Sequence, residues 1–182
     1  MKSHIQGITL LEVITTLAIS GILLGLAVPV TGNLVAENRV SGQINALRGA
    51  IALTRSEAVT RQEDVVICKS ADQQTCTRQG TWAQGYIVFV DTNRDRRRNQ
   101  AEDLLHIHDA LPTNLSLDYN AFGSDHYLAY HATGFTRTNG TFTFCNQLMP
   151  NRAKALIVMK TGRARLSEKS SEGGPLACGA TG

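Results

Sequence analysis

The chain has 182 residues, a formal net charge of +3 and four cysteines. That length suits one domain with an appendage, and so small a net charge does not by itself mark a nucleic-acid binder. Aromatics are few and glycines frequent, which points to a β-rich head with a core of Val, Ile, Leu and Phe.

The first predicted element follows the short leader MKSHIQG. From Ile8 to Val30 the chain is apolar, and Glu12 is its only ionisable residue. About 20 such residues, rising about 1.5 Å each, cover a hydrocarbon core of about 30 Å. The run is too long for the apolar region of a secretory signal peptide, and only Lys2 supplies formal charge before it. A plain transmembrane anchor leaves Glu12 unexplained, because a carboxylate in hydrocarbon is costly and calls for a partner. Gly21 and Gly25, spaced GxxxG, would let a second helix approach closely.

Beyond Pro29 the pattern changes. Val40, Ile44, Leu47, Ile51 and Ala58 recur at helical spacing, with Asn38, Arg39, Gln43, Asn45, Arg48, Arg55 and Glu57 on the other face. The spacing predicts an amphipathic continuation of the helix over 31–61, its apolar stripe packed on a sheet. Pro29 lacks a backbone N–H and Gly32 adds freedom, so a bend is expected near them.

Residues 62–182 read as short extended runs separated by turn residues. Strands are expected at Val65–Cys68, Tyr86–Val90, Leu104–His108, Leu115–Tyr119, Tyr127–His131, Gly140–Cys145 and Ala155–Met159. Ser167–Gly174 reads as a mobile loop. The expected fold is therefore α+β: a long N-terminal helix, first apolar and then amphipathic, packed on a head of about seven antiparallel strands.

Cys68, Cys76, Cys145 and Cys178 form no CxxC pair and have no histidine at zinc-ligand spacing, so two disulfides are expected in a translocated head. Three connectivities exist. The short Cys68–Cys76 separation favours closure of a local loop, with Cys145–Cys178 tying the tail to the body.

The loop Asp91–Glu102 has acids or amides at the first, third, fifth and twelfth positions of a calcium loop: Asp91, Asn93, Asp95 and Glu102. Its sixth position, where calcium loops need Gly, is Arg96, and Arg94, Arg97 and Arg98 add charge that repels a cation. A hairpin tip with acids paired to arginines is expected instead. His106 and His108 share one face of a strand but have no third ligand, and no nucleophile–base set or phosphate-binding loop occurs. No metal, no cofactor and no enzymatic activity are expected.

The tail carries a sharper signal. Between Arg152 and Lys169 stand six basic residues against one acid, Glu168. Alternation puts Arg163 and Arg165 on one side of an extended segment, with Gly162 permitting a turn before them. Clustered cations bind phosphates with salt-sensitive, sequence-independent affinity. The alternative is a solvated strand end that keeps the head soluble. No aromatic alternates with these arginines, so a duplex backbone fits better than stacked single strands.

Three stretches carry a family resemblance. Gly7-Ile8-Thr9-Leu10-Leu11-Glu12 resembles the type IV prepilin signature: Gly before the cut, an apolar first mature residue (here Ile where most members have Phe), and Glu fifth. Trp82–Asp91 and Ala155–Arg165 resemble the FimT, FimU and GspH group of minor pilins and pseudopilins, and Gly162-Arg163-Ala164-Arg165 is similar to the tail motif of FimT-type members. The resemblance implies cleavage by a prepilin peptidase after Gly7 and methylation of Ile8. It implies assembly with other pilins through the N-terminal helix, where the Glu12 carboxylate meets a neighbour's N-terminal amine. It also implies a single pass in the inner membrane with a periplasmic head, then a place in a pilus at the cell surface. For the FimT type it implies binding of the double-stranded DNA backbone through Lys160, Gly162, Arg163 and Arg165 during natural transformation. A structural priming or tip subunit, or a type II secretion pseudopilin, is the alternative.

Overall fold

The computed structural model describes residue 7, residues 9–148 and residues 151–178; the side chains of residues 24–36 are not described. Helix α1 is Leu10–Arg61, and the chain divides into two compact units, residues 1–39 and 40–182.

In the first unit Thr9 precedes the helix, and its Oγ1 accepts the Glu12 N–H at 3.3 Å. The Thr15 and Thr16 hydroxyls donate to the Glu12 and Val13 carbonyls at 3.0 and 2.9 Å. Both hydroxyls are thus satisfied within the helix, which suits a segment whose Leu10, Leu11, Ile14, Leu17, Ile19, Ile22 and Leu23 side chains are exposed. Among the described residues no helical stretch is long and apolar enough to cross a membrane. The side chains of the rest of the expected 8–30 span, and Ile8, lie outside the described residues, while the backbone at Pro29 and Gly32, where a bend is expected, is assigned to α1.

In the second unit the predicted stripe Val40, Ile44, Leu47, Ile51 and Ala58 is buried, and Ala50 and Thr54 join it. Thr54 is tolerated there because its hydroxyl donates to the Ala50 carbonyl at 2.7 Å. Beyond Arg61 the chain turns at Gln62, whose φ of 58° is left-handed and whose Nε2 donates to the Val59 carbonyl at 2.7 Å.

Eight strands follow: β1 (Val65–Lys69), β2 (Tyr86–Val90), β3 (Leu104–His108), β4 (Leu115–Ala121), β5 (Tyr127–Tyr130), β6 (Gly140–Asn146), β7 (Lys154–Val158) and β8 (Ala164–Ser167). They pair antiparallel in two four-stranded sheets, ordered β3-β2-β1-β5 and β4-β6-β7-β8. The α1 stripe, Val65, Ile67, Tyr86 and Val88 of the first sheet, and Leu117, Phe142, Phe144, Leu156 and Val158 of the second form one core. Trp82 joins the sheets, edge-on to Phe142 and Tyr119 at 5.0 and 5.6 Å, with its Nε1 donating to the Asp125 carbonyl at 2.7 Å.

Strands β1 and β2 are buried along their whole length. Their second face, Val66, Cys68, Ile87 and Phe89, lies in a smaller cluster packed with Cys76. Burial on both faces is why these runs are continuously apolar and do not alternate. The disulfides are Cys68–Cys76 and Cys145–Cys178, with Cα atoms 5.6 and 5.8 Å apart.

Two expectations needed correction. Strand β8 is not among the seven expected, because only Ala164 and Leu166 of its four residues are apolar and none of the four is buried. The expected loop Ser167–Gly174 begins one residue later, because Ser167 ends β8; beyond it the Ser170 N–H donates to the Gly174 carbonyl at 2.9 Å and Lys169 is bridged to Pro175.

At the loop Asp91–Glu102, Arg96 stands with a left-handed φ of 63° and turns its guanidinium inward. It bonds the Asp91 carboxylate through Nη1 and Asp64 Oδ2 through Nη2 at 2.9 Å. Asp91 is fully buried and also accepts the Asp95 N–H at 3.0 Å. His131 Nδ1 lies 3.0 Å from Asp64 Oδ1. Burial pushes the Asp64 carboxyl up, but the hydrogen bonds from His131 and Arg96 outweigh it and hold the group below its usual range. A carboxyl depressed in the fold gives stability that is complete above its unfolded pKa of about 3.9 and is lost as pH falls through the folded value. Replacing Asp64 by Asn should therefore flatten part of the acid limb of the stability profile below about pH 4. Arg96→Met strands two buried carboxylates and should cost about 3–5 kcal/mol, read from the urea midpoint at pH 7.

Candidate nucleic-acid interface

Strands β7 and β8 are joined by a tight turn. The Gly162 N–H donates to the Met159 carbonyl at 2.8 Å, and the Met159 N–H donates to the Arg163 carbonyl at 3.0 Å. Gly162 has a φ of +78°, and a Cβ there would lie 2.2 Å from the Gly134 carbonyl oxygen and 2.9 Å from the Tyr130 ring. Both facts require glycine.

The turn is pinned from behind. The Gly162 carbonyl accepts the Tyr130 hydroxyl at 3.0 Å and Arg55 Nη1 at 3.4 Å. Burial pushes the Tyr130 phenol up to about 12, with Arg55 opposing, so it remains an O–H donor at neutral pH. The Lys160 N–H donates to Asn139 Oδ1 at 2.7 Å, and its carbonyl accepts the Thr136 N–H at 2.9 Å.

Lys160, Arg163 and Arg165 are all exposed on this support. None of the three is in an ion pair among the described residues. The two arginines border different surfaces. Arg165 is opposite Ile157, on the face of the second sheet turned away from the main core, whose residues are Leu156 and Val158. Arg163, beside the turn, lines a cavity of about 560 Å³ between the strand pair and α1. Arg48 and Arg55 line the same cavity with Ser56, Thr60 and the apolar Ile51, Ala52, Val59 and Ala164, and among the described residues no acid borders it.

Helix arginines at this site were missed by reading the sequence, which assigned Arg48 and Arg55 only to the polar flank. The one available signal was their seven-residue spacing, which stacks them on one face two turns apart. The same holds for Phe135, 51 % exposed on the loop that precedes Thr136 and so brought beside the turn, although no aromatic is near it in sequence.

Several of the other candidates have structural roles. Of the arginines in the Asp91–Glu102 loop, Arg96 is held by Asp64 and Asp91, and Arg98 donates to the Gln74 and Glu102 carbonyls at 3.0 and 3.3 Å. Arg94 and Arg97 remain exposed. His108 stacks on Tyr86 with ring centres 4.5 Å apart, and His106 lies 6.4 Å from the same ring. Burial, with the His108 charge second, pulls His106 below its usual pKa. In the first unit Gly7 is exposed, and the Glu12 carboxylate, also exposed, has no ion-pair partner among the described residues.

Comparisons with known proteins fit both ends of the chain. The family described as type II transport protein GspH matches residues 43–162, and the prokaryotic N-terminal methylation motif matches residues 2–28. The pilin-like protein PilA1 of Thermus thermophilus is 37 % identical over 100 residues, 54 % of this chain and 56 % of that protein. The match thus spans little more than half of that relative. Among solved structures, the type IV minor pilin FimU of Pseudomonas aeruginosa superposes with a TM-score of 0.54 at 19 % identity, over 72 % of this chain and 90 % of that one. The minor pseudopilin EpsH of the Vibrio cholerae type 2 secretion system gives 0.51 at 15 % identity, over 71 % and 96 %. The helix-on-two-sheets head and the methylation motif therefore agree with the family match, and the chain belongs to the GspH family of type IV minor pilins and pseudopilins.

Proposed function

We propose that this minor pilin binds the backbone of double-stranded DNA without sequence preference and serves DNA uptake in natural transformation. The observation that supports it is the set of exposed, ion-pair-free cations Lys160, Arg163 and Arg165 on a turn fixed by Tyr130 and Arg55. A fixed turn presents its charges without the ordering cost of a loose tail, and unpaired cations give up no protein partner when a phosphate arrives. Prepilin peptidase would cut after Gly7 and methylate Ile8, and the head would face the periplasm before assembly. A structural subunit of a type II secretion pseudopilus is the second reading, favoured by the family description itself.

Gel-shift titration of the full chain in zwitterionic detergent separates the two. Binding in the range of about 10⁻⁴ to 10⁻⁶ M that weakens steeply with salt, and is lost in Arg163→Ala/Arg165→Ala, is the expected result. No binding even at low salt would leave the structural role. Gly162→Ala changes no charge, yet should destabilise the head by about 1–3 kcal/mol in thermal melts and weaken DNA binding by displacing the turn.

The Glu12 carboxylate would pair with the N-terminal amine of a neighbouring subunit in the filament, since an acid in hydrocarbon needs a cation. Glu12→Ala should insert into membranes normally but enter sheared filaments at a reduced level. Unchanged incorporation would rule out the pairing.

A further inference from the structure

We propose that the cavity between α1 and the β7–β8 turn is a phosphodiester-binding groove in which Arg48 and Arg55 act together with Arg163. The inference rests on the DNA-binding reading and deepens it: the nucleic-acid site is a two-sided cleft, and half of it belongs to the helix.

Three observations carry it. First, the lining has three guanidiniums and no carboxylate, and Arg48 and Arg163 have no ion pair among the described residues. Guanidinium forks match phosphate oxygens better than ammonium groups do. Second, Ile51, Ala52, Val59 and Ala164 give the groove an apolar patch beside the hydroxyl residues Ser56 and Thr60. A free inorganic anion gains nothing from such a patch, whereas a phosphodiester brings a sugar face to cover it. Third, the two walls are held together. Arg55 donates to the Gly162 carbonyl, and Gly162 has no room for a side chain, so the spacing across the groove is set by packing before any ligand arrives.

The geometry also orders the contacts. Arg48 and Arg55 lie two helical turns apart, about 10.5 Å along the axis, so they reach separate phosphates of one strand. Arg163 closes the groove from the other wall. Arg165, on the far face of the second sheet, would meet the backbone outside the groove.

Arg48 is the discriminating position, because it is exposed and holds no part of the fold. The full chain in zwitterionic detergent would be titrated with a short DNA duplex across a salt series, as wild type, Arg48→Gln, Arg163→Gln and Arg78→Gln. Arg78→Gln removes an equal charge from the loop between β1 and β2. In parallel, pyrophosphate would be titrated while the arginine Nε–Hε signals are followed by NMR. Arg48→Gln should lower the slope of log affinity against log salt by about one, as Arg163→Gln does and Arg78→Gln does not. Pyrophosphate should shift the Arg48 and Arg55 signals. If Arg163→Gln weakens duplex binding while Arg48→Gln behaves like Arg78→Gln and pyrophosphate shifts neither signal, the groove is overturned and the DNA-binding reading stands. If pyrophosphate shifts both signals but the wild type binds no duplex, the groove is an anion site and the DNA reading falls. No response to either probe overturns both.

Discussion

The head depends on one stripe of one helix. Leu47, Ile51 and Ala58 are buried in one cluster with side chains of both four-stranded sheets. A small sheet cannot hold a fold alone, and the helix supplies the missing apolar face. Fixing the stripe also fixes the rest of the helix surface. With Leu47 and Ile51 turned inward, Arg48 and Arg55 are carried to the flank beside the β7–β8 turn. The same packing that closes the core therefore sets one wall of the candidate groove.

Much of this was legible in the residues. The stripe was readable because helical periodicity is strong where one face is buried and the other wet. Seven strands were readable as apolar or alternating runs, with ends displaced by a residue or two. Both disulfides could be favoured because a sequence separation of only eight for one pair and a distant tail for the other leave little competition. Strand β8 was not readable: it lies at a sheet edge, holds few apolar side chains, and is a strand only because β7 is beside it. Arg96 was partly readable. Its place in a calcium-like loop was plain, but the carboxylate that receives it from across the fold, Asp64, is 32 residues away. Pairs of that kind are set by tertiary packing, to which local pattern is blind. The groove was unreadable for the same reason, since Arg55 and Gly162 are 107 residues apart.

The site also shows why a glycine can matter in a basic motif. Gly162 has no charge and touches no ligand in the proposed role. Its absent side chain lets the turn sit against Gly134 and Tyr130, so that Arg163 leaves the turn at the mouth of the groove. A residue with a Cβ would push the turn off the helix and separate the two walls. In this motif the glycine fixes distance and the arginines supply charge.

Net charge is a poor guide to such a protein. Eighteen basic residues against fifteen acids give only +3, a value that suggests no anionic partner. The structure distributes those charges unevenly. Arg61 is matched by Glu57 and Asp103, and Arg96 by Asp64 and Asp91. Acids are thus consumed where arginines have structural work, and the helix flank and the turn keep cations with no carboxylate among the groove residues. A phosphate responds to the charge within about a Debye length, roughly 8 Å at physiological salt, and not to the total. At that range a phosphate at the groove meets three guanidiniums, although the chain as a whole is nearly neutral.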